Sequence, residues 1–518
     1  MSGIEVRNPR TGEVLYTIAE CSDHDLDEIF DRATAAHKVV SALSVGQRVA
    51  EAVKLKRYIL DRRERIVAQL VQECGKCCTD ALLAEIYSVL DMIQYYERNA
   101  ERILRPQKAP TPLPLWPRRS RVWFEPIGPV LVISPWNYPF VLSFQPVISA
   151  FLAGNSVMLK PSSNTPLKGL YEEMIAESGF IKDAIQVVYG TRHTGNKLIG
   201  RKPRKVFFTG SVGAGRQIMA QAAQYLIPVE LELGGKDPML VFEDADLDRA
   251  ARGALWGAMV NSGQTCTSVE RIYVQEGAYE AFLAKMKAAA EKLRTLENTN
   301  KVEDETELDM GCMTTDFQVR TVREHVDEAV AAGARIITGG HCAAGTRKFA
   351  PTVVADVTPA MRIVNEESFG PVVAVAMFRT EAEAIVLANA SDFGLSASVW
   401  SRDLDRAQRV AHALDTGNVS INNALATQAN SALPFGGVKH SGFGRYKADF
   451  GLYSFSNVKS VLIDKGAMPS DPHWYPYSRR KYALFSKMIE ALFRGKRPSL
   501  ARMAPHVLGL AKLLRERL

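Results

Sequence analysis

From about Asp23 to Ile103, apolar residues recur three and four positions apart, as in RIVAQLVQE, and predict long amphipathic helices. The period breaks at KAPTPLPLWP, Lys108 to Pro117, where prolines interrupt any regular element, and a strand-like RVWFEP follows. From Pro129 onward the helical period gives way to short continuous apolar runs: VLVISP, SVMLKP, AIQVVYG and KVFFTG, with helical stretches between them. Strands alternating with helices at this pace predict a doubly wound parallel sheet. A second series, RIYVQ, ARIITGG, FAPTVV and VVAVAMF, repeats the alternation. The chain is therefore expected to be α/β, without internal repeats.

At 518 residues the chain exceeds what one core can organise, so two or three packed units are expected. Its 47% hydrophobic and 23% charged fractions are those of an ordinary soluble enzyme. The N-terminus lacks a basic segment followed by an apolar run, and no stretch approaches the roughly 18–20 apolar residues of a membrane span. Seven cysteines at irregular spacing suit a reduced, cytoplasmic protein better than a disulfide framework. The net charge of +7 is uneven: residues 477–518 carry eleven Lys/Arg and two Asp/Glu, so the rest of the chain has a net of −2. A near-neutral body lacks the basic face that nucleic-acid binding needs.

Four places offer chemistry at the ends of apolar runs, where α/β folds build sites. In ISPWNYP, Asn137 either donates its amide to a developing oxyanion or caps a helix. In FFTGSVGAGR, Gly210, Gly213 and Gly215 follow a strand and open a helix, a weak pyrophosphate signal in GxxGxG spacing or a plain turn. In VELELGGKDP, Glu232 is a general base or half of a buried ion pair. In NSGQTCTSVER, Cys266 lies among small polar residues and not in the apolar company of a packing cysteine, and is either a reactive thiol or a structural bystander. Cys74, Cys77 and Cys78 lie in a helical pattern without a second ligand pair, and no metal is expected.

The ordered motifs PWNYP, GNSVMLKPS, FTGSVGAG, LELGGKDP, NSGQTC, EESFGP and LPFGGVKHSGFGR resemble the aldehyde dehydrogenase superfamily from about Val6 to Leu462. The resemblance implies an NAD(P)-dependent enzyme that oxidises an aldehyde to the acid, with Cys266 as nucleophile, Asn137 as oxyanion donor and Glu232 as the base that activates water. It places Trp136, Lys160, Ser163, Gly210, Ser211, Gly213, Glu367 and Phe369 at the NAD or NADP cofactor. Ser163 stands where strict NAD users often carry a Glu that repels a 2′-phosphate, so NADP should be accepted. Tyr138, Gln145, Val260 and Phe435 are expected at the substrate pocket; none is basic, which favours an apolar aldehyde over a semialdehyde. A catalytically silent member of the family is the remaining alternative.

The implied organisation is a cofactor domain (1–104 and 127–234), a catalytic domain (235–433) and a bridging β-element (105–126 and 434–463) that joins a homodimer or homotetramer. Residues 464–518 extend beyond it. There Leu484, Phe485, Met488, Ile489 and Leu492 share a helical face, 494–498 break the helix, and Leu510, Leu513 and Leu514 repeat the pattern with Arg515 and Arg517. Such a basic amphipathic extension either packs on protein or lies on an anionic membrane surface.

Overall fold

The run VLVI, Val130–Ile133, is buried along its whole length. Successive strand side chains point to opposite faces, so Val130 and Val132 enter one core while Leu131 and Ile133 enter another. In the computed structural model, which describes residues 3–296, 305–466, 470–494 and 500–515, this strand lies inside a six-stranded sheet. Its order is Gly442–Phe443, Val229–Glu232, Lys205–Thr209, Val130–Ile133, Val157–Lys160, Ile185–Val187. The last five run parallel, and Gly442–Phe443 pairs antiparallel to the strand that ends in Glu232.

Register then decides where chemistry collects. Ile133 pairs with Lys160 and with Phe208, and Thr209 pairs with Glu232, so Lys160, Thr209, Glu232 and the segment after Ile133 all emerge at one edge. Strand order reverses between Val130–Ile133 and Lys205–Thr209, and a crevice opens at such a switch point.

The second series of runs forms a seven-stranded sheet: Arg335–Thr338, Thr352–Ala355, Val372–Phe378, Val269–Gln275, Asp237–Val241, Ser396–Trp400, Asn418–Ile421. Alternation recurs, with Met239, Val241, Ile272 and Val274 in one core and Leu240 and Tyr273 in another. All neighbours are parallel except Arg335–Thr338, which runs against Thr352–Ala355.

The amphipathic N-terminal region is helical for the expected reasons. Asp23–Ala42 starts at a Ser22/Asp25 capping box and buries Leu26, Ile29, Ala33, Ala36 and Val40. Arg63–Cys74 stops at Gly75, whose φ of 78° takes the chain out of the helix. Cys74 and Cys78 are thus on different elements, not in one helical pattern, and a π-helical stretch, Ala81–Tyr87, leads into Ser88–Leu104.

Both sheets belong to one compact unit, residues 1–105 and 123–459. Residues 434–459, expected in the bridging element, fall within this unit. Gly442 and Phe443 pair with Glu232 and Leu231, Phe435 pairs with Tyr446, and the Asn155 amide donates to the Phe455 carbonyl at 2.8 Å. The second unit, residues 106–122 and 460–518, pairs Gln107–Ala109 antiparallel with Arg119–Pro126, Gln107 opposite Val122. Within it Arg118 bridges Asp464 and Asp471. Its helices Arg479–Phe493 and Leu500–Arg515 surround Met488, Met503 and Leu510, with Leu484, Phe485 and Leu492 against them. Ile489, expected on that face, is exposed instead. Residues 495–498, the side chains of Leu513, Leu514 and Arg515, and Arg517 lie outside the described residues.

Candidate active site

The helix Leu247–Met259 ends in a tight turn, Val260–Gly263, in which Asn261, Ser262 and Gly263 have φ of 53°, 55° and 70°. A Cβ on Gly263 would meet the Gly370 carbonyl oxygen at 2.0 Å, so glycine is required there. Side chains brace the turn. The Asn261 amide donates to the carbonyls of Asn137 (3.0 Å) and Gln264 (3.2 Å), and the Asn261 N–H donates to Asp80 at 2.8 Å. Cys266 follows, half-buried. Burial and the neighbouring carboxylates of Asp237, Glu367 and Glu232 push its thiol up.

Asn137 leaves the edge of the first sheet three residues after Ser134 and is buried. Its amide donates to the Gln264 carbonyl at 2.9 Å, which engages one N–H and leaves the other for a ligand. Its carbonyl accepts from Lys76 Nζ at 2.8 Å. Lys76 forms a wholly buried pair with Glu85 and lies 4.1 Å from the Tyr138 ring centroid. Glu85 in turn accepts from the Phe140 and Val141 N–H groups at 2.8 and 3.0 Å. The backbone from Asn137 to Val141 is therefore pinned.

Glu232 closes its strand with a buried carboxylate in which neither oxygen has a hydrogen-bond partner among the described residues. Burial pushes its carboxyl well up, nearby Glu230 adds to this, and Arg445 and Lys447 oppose it. An acceptor of this kind is poised for water.

The opposite wall combines a helix N-terminus, a buried carboxylate and two aromatic rings. Ser211 caps the helix Val212–Ala223, whose first N–H groups have no intrahelical acceptor. A Cβ on Gly234 would meet Glu367 Oε2 at 2.4 Å, whereas one on Gly213 would meet nothing within 4 Å. Glu367 accepts from the Gly235 N–H at 3.1 Å, and burial with Glu270 nearby pushes its carboxyl up to about 8. Phe369, at φ 51°, packs edge-on against Trp136, centroids 5.4 Å apart. Glu270 accepts from the Ser368 and Phe369 N–H groups at 2.8 and 2.9 Å and pairs with Lys236. Lys160 Nζ reaches the Pro161 carbonyl at 3.1 Å, and burial brings its ammonium down to about 8.

A cleft of about 560 Å³ joins these parts: Trp136, Asn137, Glu232, Cys266, Glu367 and Phe369 all line it, with Gly210 and Ser211. Ser163 is half-buried in the loop after Lys160 and, like Lys160 and Gly213, is not on its surface. Phe317, Gln318 and Thr321 of the helix Asp316–Ala331 also line the cleft; sequence reasoning missed them, because their helical period reports a buried face and not its neighbour.

The four expected pocket residues do not line this cleft. The Tyr138 hydroxyl is hydrogen-bonded at 2.7 Å to the Oγ1 of Thr265, the residue before Cys266. Gln145 is buried on its helix, reaching the Ser88 carbonyl at 3.5 Å. Phe435 packs on Tyr446, centroids 5.5 Å apart. Val260 borders a different hollow of about 850 Å³, against the helices Leu247–Met259 and Tyr279–Ala290, which holds neither Cys266 nor Glu232.

Comparison with known proteins accords with this site. Residues 1–461 match the model of the aldehyde dehydrogenase family. The chain is 41% identical over 513 residues to a 4,4'-diapolycopene aldehyde oxidase of Methylomonas sp, covering 97% of this chain and 95% of that one. It is 35% identical to a glutarate-semialdehyde dehydrogenase of Pseudomonas putida, covering 89% of this chain and 94% of that one. A solved NAD+ complex of an aldehyde dehydrogenase from Bacillus cereus superposes with a TM-score of 0.83 at 33% identity, covering 90% of this chain and 94% of that chain.

Proposed function

The chain belongs to the aldehyde dehydrogenase family of NAD(P)-dependent oxidoreductases, and on that premise we propose that it oxidises a long apolar aldehyde to the carboxylic acid through an acyl group on Cys266. The convergence of Cys266, Asn137 and Glu232 in one cleft carries this reading. The Cys266 thiol gives its proton to solvent in the cleft, and the thiolate attacks the aldehyde carbon to give a thiohemiacetal. Its oxyanion accepts hydrogen bonds from the second N–H of the Asn137 amide and from the Cys266 N–H; losing one such donor typically costs ~2.7–4 kcal/mol of barrier stabilisation.

A nicotinamide cofactor, when bound, would supply the acceptor for the hydride lost from the thiohemiacetal carbon, which becomes a thioester on Cys266. Glu232 takes a proton from water as the water oxygen adds to the thioester carbonyl. The C–S bond then breaks, releasing the acid and restoring the cysteine. A carboxylate with a raised proton affinity is the better base for this step.

The donor set fits a dinucleotide. Lys160 and Glu367 would hold ribose hydroxyls, the start of Val212–Ala223 with Ser211 and Gly213 the pyrophosphate, and Trp136 and Phe369 the rings. Ser163 offers no carboxylate to repel a 2′-phosphate, so NADP joins NAD as a cofactor.

Two observations support a long apolar substrate. Among the described residues lining the cleft none is basic, so no cation there would seat the second carboxylate of a semialdehyde. The match to the diapolycopene aldehyde oxidase covers 97% of the chain and so enters the C-terminal extension, whereas that to the glutarate-semialdehyde enzyme covers 89%. The deciding measurement is kcat/KM for short, long-chain and polyene aldehydes beside succinic and glutaric semialdehydes, with each cofactor. A preference of tenfold or more for a semialdehyde overturns the apolar assignment.

The extension supplies a surface for such a substrate. No helix among the described residues is long and apolar enough to cross a membrane. Trp474, Tyr475, Tyr477, Tyr482 and Phe493 are nonetheless exposed beside Arg479 and Arg480. Aromatic and basic groups together favour the headgroup region of an anionic bilayer, at about 1 kcal/mol per basic residue. Flotation with anionic vesicles should lift the full-length protein and weaken with salt. Equal behaviour of a protein truncated at Ser470 would assign the helices to packing. Homo-oligomerisation through the strands of the smaller unit completes the proposal, checked by sedimentation.

A further inference from the structure

Two cations, Arg445 and Lys447, lie within electrostatic range of Glu232. The antiparallel pairing of Gly442–Phe443 with Leu231–Glu232 carries the next residues past the end of the Glu232 strand, and the Phe435–Tyr446 bridge turns them inward. Lys447 is the residue so delivered. It is 4% exposed, at φ 65°, a conformation that few lysines adopt. Its ammonium donates to the Gln428 carbonyl at 2.7 Å and lies 5.4 and 5.8 Å from the ring centroids of Phe435 and Tyr446. Among the described residues it has no carboxylate within ion-pair distance, while both Glu232 oxygens lack hydrogen-bond partners.

We propose that Lys447 is a positioning residue for the hydrolytic step: its buried ammonium holds the Glu232 carboxylate in the charged, proton-accepting form. A buried cation with a single neutral acceptor is expensive, and packing alone would be served by a methionine. The groups that share its field are Glu232 on the strand, Cys266 on the nucleophile loop and Asp91 on the helix Ser88–Leu104. Asp91 is engaged by the Ser431 hydroxyl at 2.6 Å. Glu230, the other carboxylate beside Glu232, is paired with Lys205 at 2.6 Å. Burial lowers the Lys447 ammonium to about 8, with Glu232, Cys266 and Asp91 pulling it upward. Below that pH its charge opposes the desolvation that would otherwise keep Glu232 protonated.

The inference rests on Glu232 being the base, and the two fail differently. If Glu232→Gln gives no pre-steady-state burst of reduced cofactor, the assignment of the base falls. If Glu232→Gln bursts and stalls, Lys447 is tested by the pH dependence of deacylation, followed as the steady rate after the burst. Lys447→Met and Lys447→Gln should keep the burst and move the acidic limb up by at least one pH unit, a loss of about tenfold at any pH below it. Lys447→Arg should restore the wild-type limb. An unmoved limb in the Met and Gln variants, or a uniform fall in rate without a shift, overturns the proposal. So does a shift in Met that Gln reverses, since Gln keeps a donor for Gln428 but not the charge.

Discussion

Replacing Lys160 by methionine should stabilise the cofactor-free protein while weakening cofactor binding. The Lys160 side chain is 5% exposed, and its ammonium reaches a single carbonyl. Burial lowers it from 10.5 to about 8, which corresponds to an unfavourable term of about 3 kcal/mol for holding the charge in the folded protein. The sign follows from linkage. The unfolded chain binds this proton up to about 10.5 and the folded chain only to about 8. The penalty is therefore full below pH 8 and fades as pH rises toward 10.5. Methionine keeps the alkyl packing and removes the charge. At pH 7 Lys160→Met should be more stable to denaturant by up to about 3 kcal/mol, and the gap should close between pH 8 and 10.5. Binding of reduced cofactor, followed by fluorescence, should weaken about tenfold or more, because a hydrogen bond from a charged donor contributes roughly 1.5–3 kcal/mol. A variant no more stable than wild type at pH 7, with the same pH dependence, would refute the account of Lys160 as a charge held in reserve for a ligand.

Three further outcomes are expected. Cys266→Ala should abolish aldehyde oxidation while retaining cofactor binding by fluorescence titration; near-wild-type turnover would remove the nucleophile. Glu232→Gln should release one equivalent of reduced cofactor per site in stopped flow and then stall, since deacylation alone needs the base; it should also resist denaturant better at neutral pH, having lost an unpartnered buried carboxylate. Ser163→Glu should raise KM for NADP more than for NAD, and a wild-type enzyme inert with NADP at saturating aldehyde contradicts the role given to this position.

The strands were legible because a parallel sheet covered on both faces demands apolar runs, and VLVI, KVFFT and VVAVAMF meet that demand. Motif order then singled out Cys266, Asn137, Glu232 and Glu367, which meet in the cleft. Residues whose role depends on a distant neighbour were hidden. Lys76 and Glu85 read as polar interruptions of a helical pattern until they are seen buried beneath Asn137. Lys447 has no periodic signature, since its place depends on a strand pairing across more than two hundred residues. Tyr138 and Gln145, which the family resemblance assigns to the substrate pocket, hydrogen-bond to Thr265 Oγ1 and the Ser88 carbonyl, partners that no local sequence pattern announces.

The short pairing of Gly442–Phe443 with Leu231–Glu232 also bears on how the chain is made. Until residue 443 has left the ribosome, the strand Val229–Glu232 forms an open border of the first sheet, its outward N–H and C=O groups unmatched. Such a border is a template for any extended chain nearby. Nascent or prematurely terminated polypeptides ending between about residues 232 and 442 would thus carry a nearly complete sheet with one adhesive side. Such fragments are natural clients for chaperones and for neighbouring nascent copies. The last strand to be synthesised both completes the sheet and seals its border, so inclusion-body formation should be more sensitive to translation rate in the final quarter of the message than in the first.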